Sequence, residues 1–419
     1  MRDALWLVGF ATMPLFGLLV WRLEVVRRMD LAGRIALAFA AGIVFSTTVM
    51  FAYALAGIVW TRVSLAVPLI LLIVAGARQV ARSRASPTIE QTDSRAASIG
   101  IAAIIAVTLY GIATARETCG DLIYFWGPKG QRFWMMGTID VSFLGFPHYS
   151  LMHSDYPPLM PEAFALASTF AHRFSWWGAL FTMALFLAAA VFALRGFVGG
   201  RKGGWYGLLL AAVLGYGYAI GMVAGAADSL LLLFEVIALC ALTFEGDDAH
   251  VVAAIALAGA VMTKVEGAAF AAVLLIALVL LRRGVARTLA MAAPAVLLLA
   301  AWIAFCVRHH LLDSYARGGQ KADWRLTGIV AKNMVRMASY RAFYLPWLAS
   351  LAPLSLGRSW RRAALPVLVA AGALAYTFFF YLHMDARLGD PAWWVASSAE
   401  RVLLTPLMAL VVAAAAASE

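Results

Sequence analysis

The chain has 419 residues, of which 63% are apolar and 13% charged, and its mean hydropathy is +0.85. A soluble domain carries about 25% charged residues, so this chain has too little polar surface to cover itself in water and belongs in a bilayer. Thirteen apolar stretches can be drawn along it. At roughly 20 residues per span they take about 260 residues, which excludes a sizeable soluble domain, a secreted or fibrous protein and a cytosolic enzyme.

The expected spans are 4–21, 35–59, 64–77, 98–115, 176–197, 204–222, 228–244, 250–263, 267–281, 287–306, 341–356, 363–382 and 400–416. Arg2 and Asp3 precede the first run, which has no small-residue cleavage pattern and reads as a retained helix. The net charge of +11 is not that of a nucleic-acid binder, because the arginines are parcelled out between apolar runs instead of forming one basic face. Arg22, Arg27, Arg28 and Arg34, Arg78, Arg82, Arg84 and Arg95, Arg195, Arg201 and Lys202, Arg282, Arg283 and Arg287, and Arg358, Arg361 and Arg362 occupy short polar connections. The positive-inside rule makes those connections cytoplasmic. The N-terminus then lies outside, the C-terminus is cytoplasmic, and 60–63, 116–175, 223–227, 264–266, 307–340 and 383–399 are outer connections.

Residues 158–172 are apolar, but a span there would turn Arg195, Arg201 and Lys202 outward, so they are expected to form a juxtamembrane helix against the outer face. The stretch 325–339 sets Leu326, Ile329, Val330 and Met337 near one face and Lys332, Asn333 and Arg336 nearer the other, the pattern of an interfacial helix. The polar connection 78–97 divides the chain into three leading helices, 1–97, and a core, 98–419. Cys240 and Cys306 lie in apolar runs and Cys119 stands alone, so neither a disulfide framework nor metal spacing can be built.

Residues that are expensive to place near hydrocarbon are the informative ones, and they gather in the outer connections. Asp121 follows a span closely, and Lys129 and Arg132 come eight and eleven residues later, about 2.2 and 3.1 helical turns. A carboxylate beside two cations suits proton abstraction next to a bound phosphate; a solvated loop helix is the plain alternative. In HSDYPPL, His153, Asp155 and Tyr156 precede two prolines, and Asp155 reads either as a site residue or as a helix cap. Asp228, in GAADSL, has the same two readings. Lys264 and Glu266 share a tight turn in MTKVEGAAF, as an ion pair or as an anion contact. In WWVASSAERVLL, Trp393 and Trp394 fit an interfacial belt, while Arg401 is either a snorkelling arginine or a phosphate ligand.

Taken together, Asp121-x4-Trp126-x2-Lys129, HSDYPPL, GAADSLLLLFE, MTKVEGAAF and WWVASSAERVLL stand in the order found in the GT-C superfamily of multi-span glycosyltransferases. The chain resembles bacterial relatives of the dolichyl-phosphate-mannose protein mannosyltransferase family over about residues 98–416. It departs from them at Ala226, where Tyr is common, at Val265 in place of Asn, and at Ala399-Glu400 in place of a Leu-Asp pair. The resemblance implies an all-α, polytopic, GT-C-like fold of about thirteen spans in the cell membrane, moving a sugar from a polyprenyl-phosphate donor to a hydroxyl acceptor on a glycan, lipid or protein. It implies that an acidic residue just after the first core span is the base, which is Asp121 here. With fixed cations stabilising the departing lipid phosphate, direct displacement inverts the anomeric centre.

The expected assignments are Asp121 as base and Asp155 in positioning. Lys129, Arg132, Lys264, Arg325 and Arg401 are expected at the donor phosphate, and His153, Tyr156, Asp228 and Glu266 at the substrate. A monophosphate leaving group asks little of a divalent metal and the chain has no Asp-x-Asp pair, so no metal or other cofactor is expected. Two other classes stay open: a secondary transporter, which usually shows internal repeats, and a non-catalytic subunit with the same fold.

Overall fold

A computed structural model describes residues 2–82, 94–114, 120–146, 153–219, 225–244, 246, 248–311, 321–339, 344–357, 359–383 and 390–418. Cys119 and parts of the connections at 78–97, 116–175, 223–227, 307–340 and 383–399 lie outside them. Every regular element among the described residues is a helix. Those used below are α1 (Arg2–Ala11), α2 (Leu31–Ala56), α3 (Arg62–Arg82), α4 (Arg95–Thr114), α5 (Gly127–Met136), α6 (Leu159–Ala171), α7 (Trp176–Val198) and α8 (Gly200–Ala219). They continue as α9 (Asp228–Thr243), α10 (Ala249–Thr263), α11 (Val265–Leu280), α12 (Val285–Arg308) and α13 (Thr327–Ser339). The last are α14 (Leu345–Ser355), α15 (Trp360–Leu382), α16 (Pro391–Val402) and α17 (Leu404–Ala417).

Among the described residues, eight helical segments are long and apolar enough to cross a membrane: Asp3–Arg22, Leu31–Ala56, Arg62–Arg82, Arg95–Thr114, Trp176–Val198, Val285–Arg308, Trp360–Leu382 and Pro391–Ala417. The protein is therefore a polytopic, membrane-embedded helical bundle. Its centre is α9, buried along almost its whole length among α7, α10 and α17. A helix surrounded by protein need not match the bilayer, and α9 has 16 residues where α7 has 23. Their ends meet, since Phe244 and Gly196–Lys202 line one cavity. At 1.5 Å per residue the N-terminus of α9 is thus recessed by about 10 Å relative to that of α7.

The contacts sort the connections into two ends. At the arginine end, Arg195 pairs with Asp30 at 3.1 Å, Lys202 donates to the Ser418 carbonyl at 2.5 Å, and the Glu24 amide donates to Asp248 at 3.2 Å. At the opposite end, the Trp60 amide donates to the Gly137 carbonyl at 2.6 Å, Ser154 to the Leu311 carbonyl at 2.9 Å, and the Asp323 amide to the Leu382 carbonyl at 2.8 Å. Every connection expected outside for which a contact is described falls at this second end.

Three local expectations change. Helix α6 does not lie against a face: nearly all of it is buried beneath α1 and α5, with Ser168 accepting from Trp6 Nε1 at 2.9 Å and the Thr169 carbonyl from Arg62 at 3.1 Å. It does not cross, because Pro158 and Ala171 are both at the second end. The segment expected as the loop 383–399 is helical from Pro391, where the Asp390 side chain accepts from the Ala392 amide at 2.9 Å and caps α16. The described helix in 341–356 is α14, whose 11 residues reach about 16 Å, short of a hydrocarbon core. A helix is present in 325–339 as α13, and Leu326, Val330 and Met337 pack against Tyr381, Val395 and Ala399, while Ile329 is exposed.

Candidate active site

Asp121 stands at the start of one continuous helical stretch, but its first turn is wide. Residues Leu122–Trp126 form a π-helical turn closed by the Gly127 amide donating to the Leu122 carbonyl. Pro128 has no amide to give, and its ring would crowd the carbonyl four residues before it, so the wide turn relieves both problems. Gly127 is required by packing: a Cβ there would lie 2.1 Å from the ring of Trp176. A Cβ on Gly130 would lie 2.9 Å from Cβ of Phe164, which lets α5 settle closely on α6. The extra residue turns Asp121 off the face of Arg132. Its carboxylate instead accepts a hydrogen bond from Nη1 of Arg401.

Arg401 joins Asp121 to a buried cluster. Its Nη1 lies 3.7 Å from Asp228, and Lys264 donates to both oxygens of Asp228 at 3.2 and 3.4 Å and pairs with Glu266 at 2.9 Å. Lys264 is in position because its backbone is extended (φ −161°, ψ 158°) where α10 stops and α11 begins. Burial alone would lower the pKa of its ammonium, but Asp228 and Glu266 outweigh burial and raise it, so Lys264 stays charged. Asp228 does not cap its helix: the cap position is Ala227 without a side-chain bond, and the Asp228 carboxylate is given to Lys264. The cluster holds three carboxylates and two cations.

A second group adjoins it. Lys129 is buried, donates to the His153 carbonyl at 2.6 Å and lies 5.3 Å from the centre of the Trp126 ring. Burial pulls its pKa down to about 7, partly opposed by Asp155. His153 adopts a left-handed backbone (φ 50°), which turns its carbonyl to Lys129 and to the Tyr156 amide, 3.0 Å away. Its ring stacks on Tyr156 at 4.5 Å and meets Phe125 at 5.0 Å. Burial, with Lys129 and Lys264 nearby, lowers its pKa to about 3, so the imidazole is neutral. The felt charge of Lys264 links the two groups. Asp155 is fixed through its backbone, whose carbonyl accepts from Trp302 Nε1 at 2.8 Å. It does not cap α6, where the cap position is Pro158.

Two expected phosphate ligands are engaged elsewhere. Arg132 is turned to Asp140 at 2.6 Å, and Asp140 also caps the turn Val141–Leu144 by accepting from the Phe143 amide at 3.0 Å. Burial would raise the Asp140 pKa, but hydrogen bonds from Ser142, Phe143 and Arg132 lower it below the usual carboxylate range. Arg325 is 91% exposed and pairs with Asp323 at 2.9 Å. The structure therefore gathers Asp121, Asp228, Lys264, Glu266 and Arg401, sets Lys129, His153, Asp155 and Tyr156 beside them, and leaves Arg132 and Arg325 outside.

Sequence reasoning passed over two carboxyls. Glu235 is buried in α9 and accepts from Thr405 Oγ1 at 2.8 Å. Glu162 is buried in α6, and its Oε1 has no hydrogen-bond partner among the described residues. An acid inside an apolar run is itself the signal that finds both. Among the described residues, no group of three or more His, Cys, Asp and Glu side chains is set to hold a metal ion. Comparison with known families, with curated proteins and with solved structures gives no match to this chain.

Proposed function

We propose that the protein is an integral membrane glycosyltransferase of GT-C type, with about thirteen spans in the cell membrane, the N-terminus outside and the C-terminus cytoplasmic. It transfers a sugar from a polyprenyl-phosphate donor to a hydroxyl acceptor on the outer face. The observation that carries this reading is the convergence of Asp121, Asp228, Lys264, Glu266 and Arg401, brought from four separate stretches of the chain to one recessed point at one end of an apolar bundle.

A lipid-linked donor slides within the bilayer and reaches such a point sideways between helices. The five N–H donors of a guanidinium can serve a phosphate and a carboxylate together. A phosphate on Arg401 weakens the hold of that arginine on Asp121 and leaves an ionised carboxylate beside the sugar. The acceptor hydroxyl gives its proton to Asp121 as its oxygen bonds to the anomeric carbon. The bond from that carbon to the phosphate oxygen breaks, and the electron pair leaves with the polyprenyl phosphate. The added negative charge is met by Arg401 and Lys264. The stacked rings of Tyr156 and His153, backed by the buried Trp126, offer a flat apolar face to the substrate, with Asp155 in the turn that presents them.

The buried acids Glu162 and Glu235 favour a second reading, a secondary transporter, because intramembrane carboxyls mark proton and ion pathways. Purified protein in liposomes separates the two: released polyprenyl phosphate from a panel of lipid-linked sugars supports transfer, whereas uptake of a labelled solute without release supports transport. A labelled cysteine at Ser142 should react from outside and one at Gly284 from the cytoplasm; the reverse result overturns the orientation.

A further inference from the structure

Glu235 follows Asp228 by seven residues on α9, two helical turns, so the two carboxylates share a face about 10 Å apart. Across from them, Thr405 follows Arg401 by four residues. The pairs meet in step: Asp228 lies 3.7 Å from Arg401, and Glu235 accepts from Thr405 at 2.8 Å. Glu235 is 1% exposed, and no cation among the described residues pairs with it.

The chain between Arg401 and Thr405 is a joint. Helix α16 ends at Val402, α17 begins at Leu404, and Pro406 has no amide to offer the Val402 carbonyl. The Leu403 amide still donates to the Ala399 carbonyl at 2.8 Å and the Leu407 amide to the Leu403 carbonyl at 3.3 Å, so the ladder crosses the joint one bond short. A hydroxyl held by a buried carboxyl just beyond the joint adds a second restraint on the direction of Arg401 relative to α17.

We propose that Glu235 is a positioning residue: by binding Thr405 it fixes the α16–α17 joint and so holds the Arg401 guanidinium between Asp121 and Asp228. The consequence for donor phosphate binding rests on the function proposed above; the placement of Arg401 does not.

The test uses the full-length protein in lipid nanodiscs and the variants Glu235→Gln, Glu235→Leu and Thr405→Val. The readout is the rate at which phenylglyoxal modifies Arg401, followed by peptide mass spectrometry beside the thermal midpoint. In the native protein the Arg401 side chain is 17% exposed and paired with carboxylates, so modification is slow. Glu235→Leu and Thr405→Val should each speed modification of Arg401 about tenfold, the scale of one hydrogen bond to a charged group. Their double variant should be no faster than either, and Glu235→Gln, whose amide oxygen accepts the same bond, should match the native rate. Thr405→Val is nearly isosteric and carries the test if Glu235→Leu does not fold. Unchanged modification in Thr405→Val overturns the proposal even if the midpoint falls, and so does Glu235→Gln behaving like Glu235→Leu. With a polyprenyl-phosphate sugar, Glu235→Leu and Thr405→Val should each raise the KM about tenfold, and Glu235→Gln should leave it as in the native protein. A native protein that turns over no donor defeats the function and leaves the modification result to decide the positioning role.

Discussion

At the arginine end of the bundle, Arg27 and Arg28 both find Glu24 within one helical turn, and Lys202 ends on a backbone carbonyl. At the other end, Lys264 reaches Asp228 across 36 residues and Arg401 reaches Asp121 across 280. The first kind of pairing stabilises a local turn in contact with water and contributes little. The second ties four stretches of chain to one buried point, and it persists only because packing holds both partners there. Long reach alone does not make a site, since Arg195 meets Asp30 and Lys202 meets the Ser418 carbonyl from far along the chain; what marks the second end is that Lys264 and Arg401 each hold two carboxylates and share Asp228. Arg325, two residues from its partner Asp323, falls with the first kind, and so does Arg132, eight from Asp140.

Breaking that contrast should have graded effects. The largest is expected from Lys264→Ala, which leaves the buried Asp228 and the half-buried Glu266 without their shared cation and should cost about 3–5 kcal/mol, the scale for breaking one side of a buried pair. Thermal unfolding in detergent measures it, and a loss as small as that of a surface lysine would remove the distinction between the two ends. Arg401→Ala should weaken donor binding by about 1.5–3 kcal/mol, the range for hydrogen bonds to charged groups, as read by titration with a polyprenyl-phosphate sugar.

Lys129 sharpens the comparison through pH. Its pKa is about 7 in the folded protein against an ordinary value of 10.5. Between those values the unfolded chain keeps a proton that the folded protein has released, so the unfolded state binds more protons and stability rises with pH. Below about 7 the cost of burying the charged amine is fully present. The slope should reach about 1.4 kcal/mol per pH unit for this one group, and Lys129→Met should flatten it; a slope unchanged by that substitution would mean that the amine is not buried. The smallest effect is expected at Arg325, where alanine should leave both stability and donor affinity as they were.

Much of the bundle was legible because a long apolar run has few alternatives: each expected span contains a described helix. The misses have local causes. Helix α16 was hidden by its aromatic and polar residues, although Asp390 followed by Pro391 is a helix start in plain sequence. Helix α6 looked like a surface helix because its burial depends on α1 and α5, which sequence spacing does not reveal. Counting regular turns aligns Asp121 with Lys129 and Arg132, whereas its carboxylate meets Arg401, 280 residues along the chain, a pairing that local spacing does not reveal. Asp228 and Asp155 each allowed a capping role, and neither side chain caps its helix; only the fold shows Asp228 bound to Lys264.

The claim that Asp121 is the base is tested most directly by the rate of polyprenyl-phosphate release in proteoliposomes, compared among the native protein, Asp121→Asn and Asp155→Asn, with donor binding measured in parallel. Asp121→Asn should bind donor as the native protein does and release polyprenyl phosphate about 100-fold more slowly, the usual scale for loss of a general base. Native turnover in Asp121→Asn, with none in Asp155→Asn, would contradict it and move the base to the His153–Tyr156 turn.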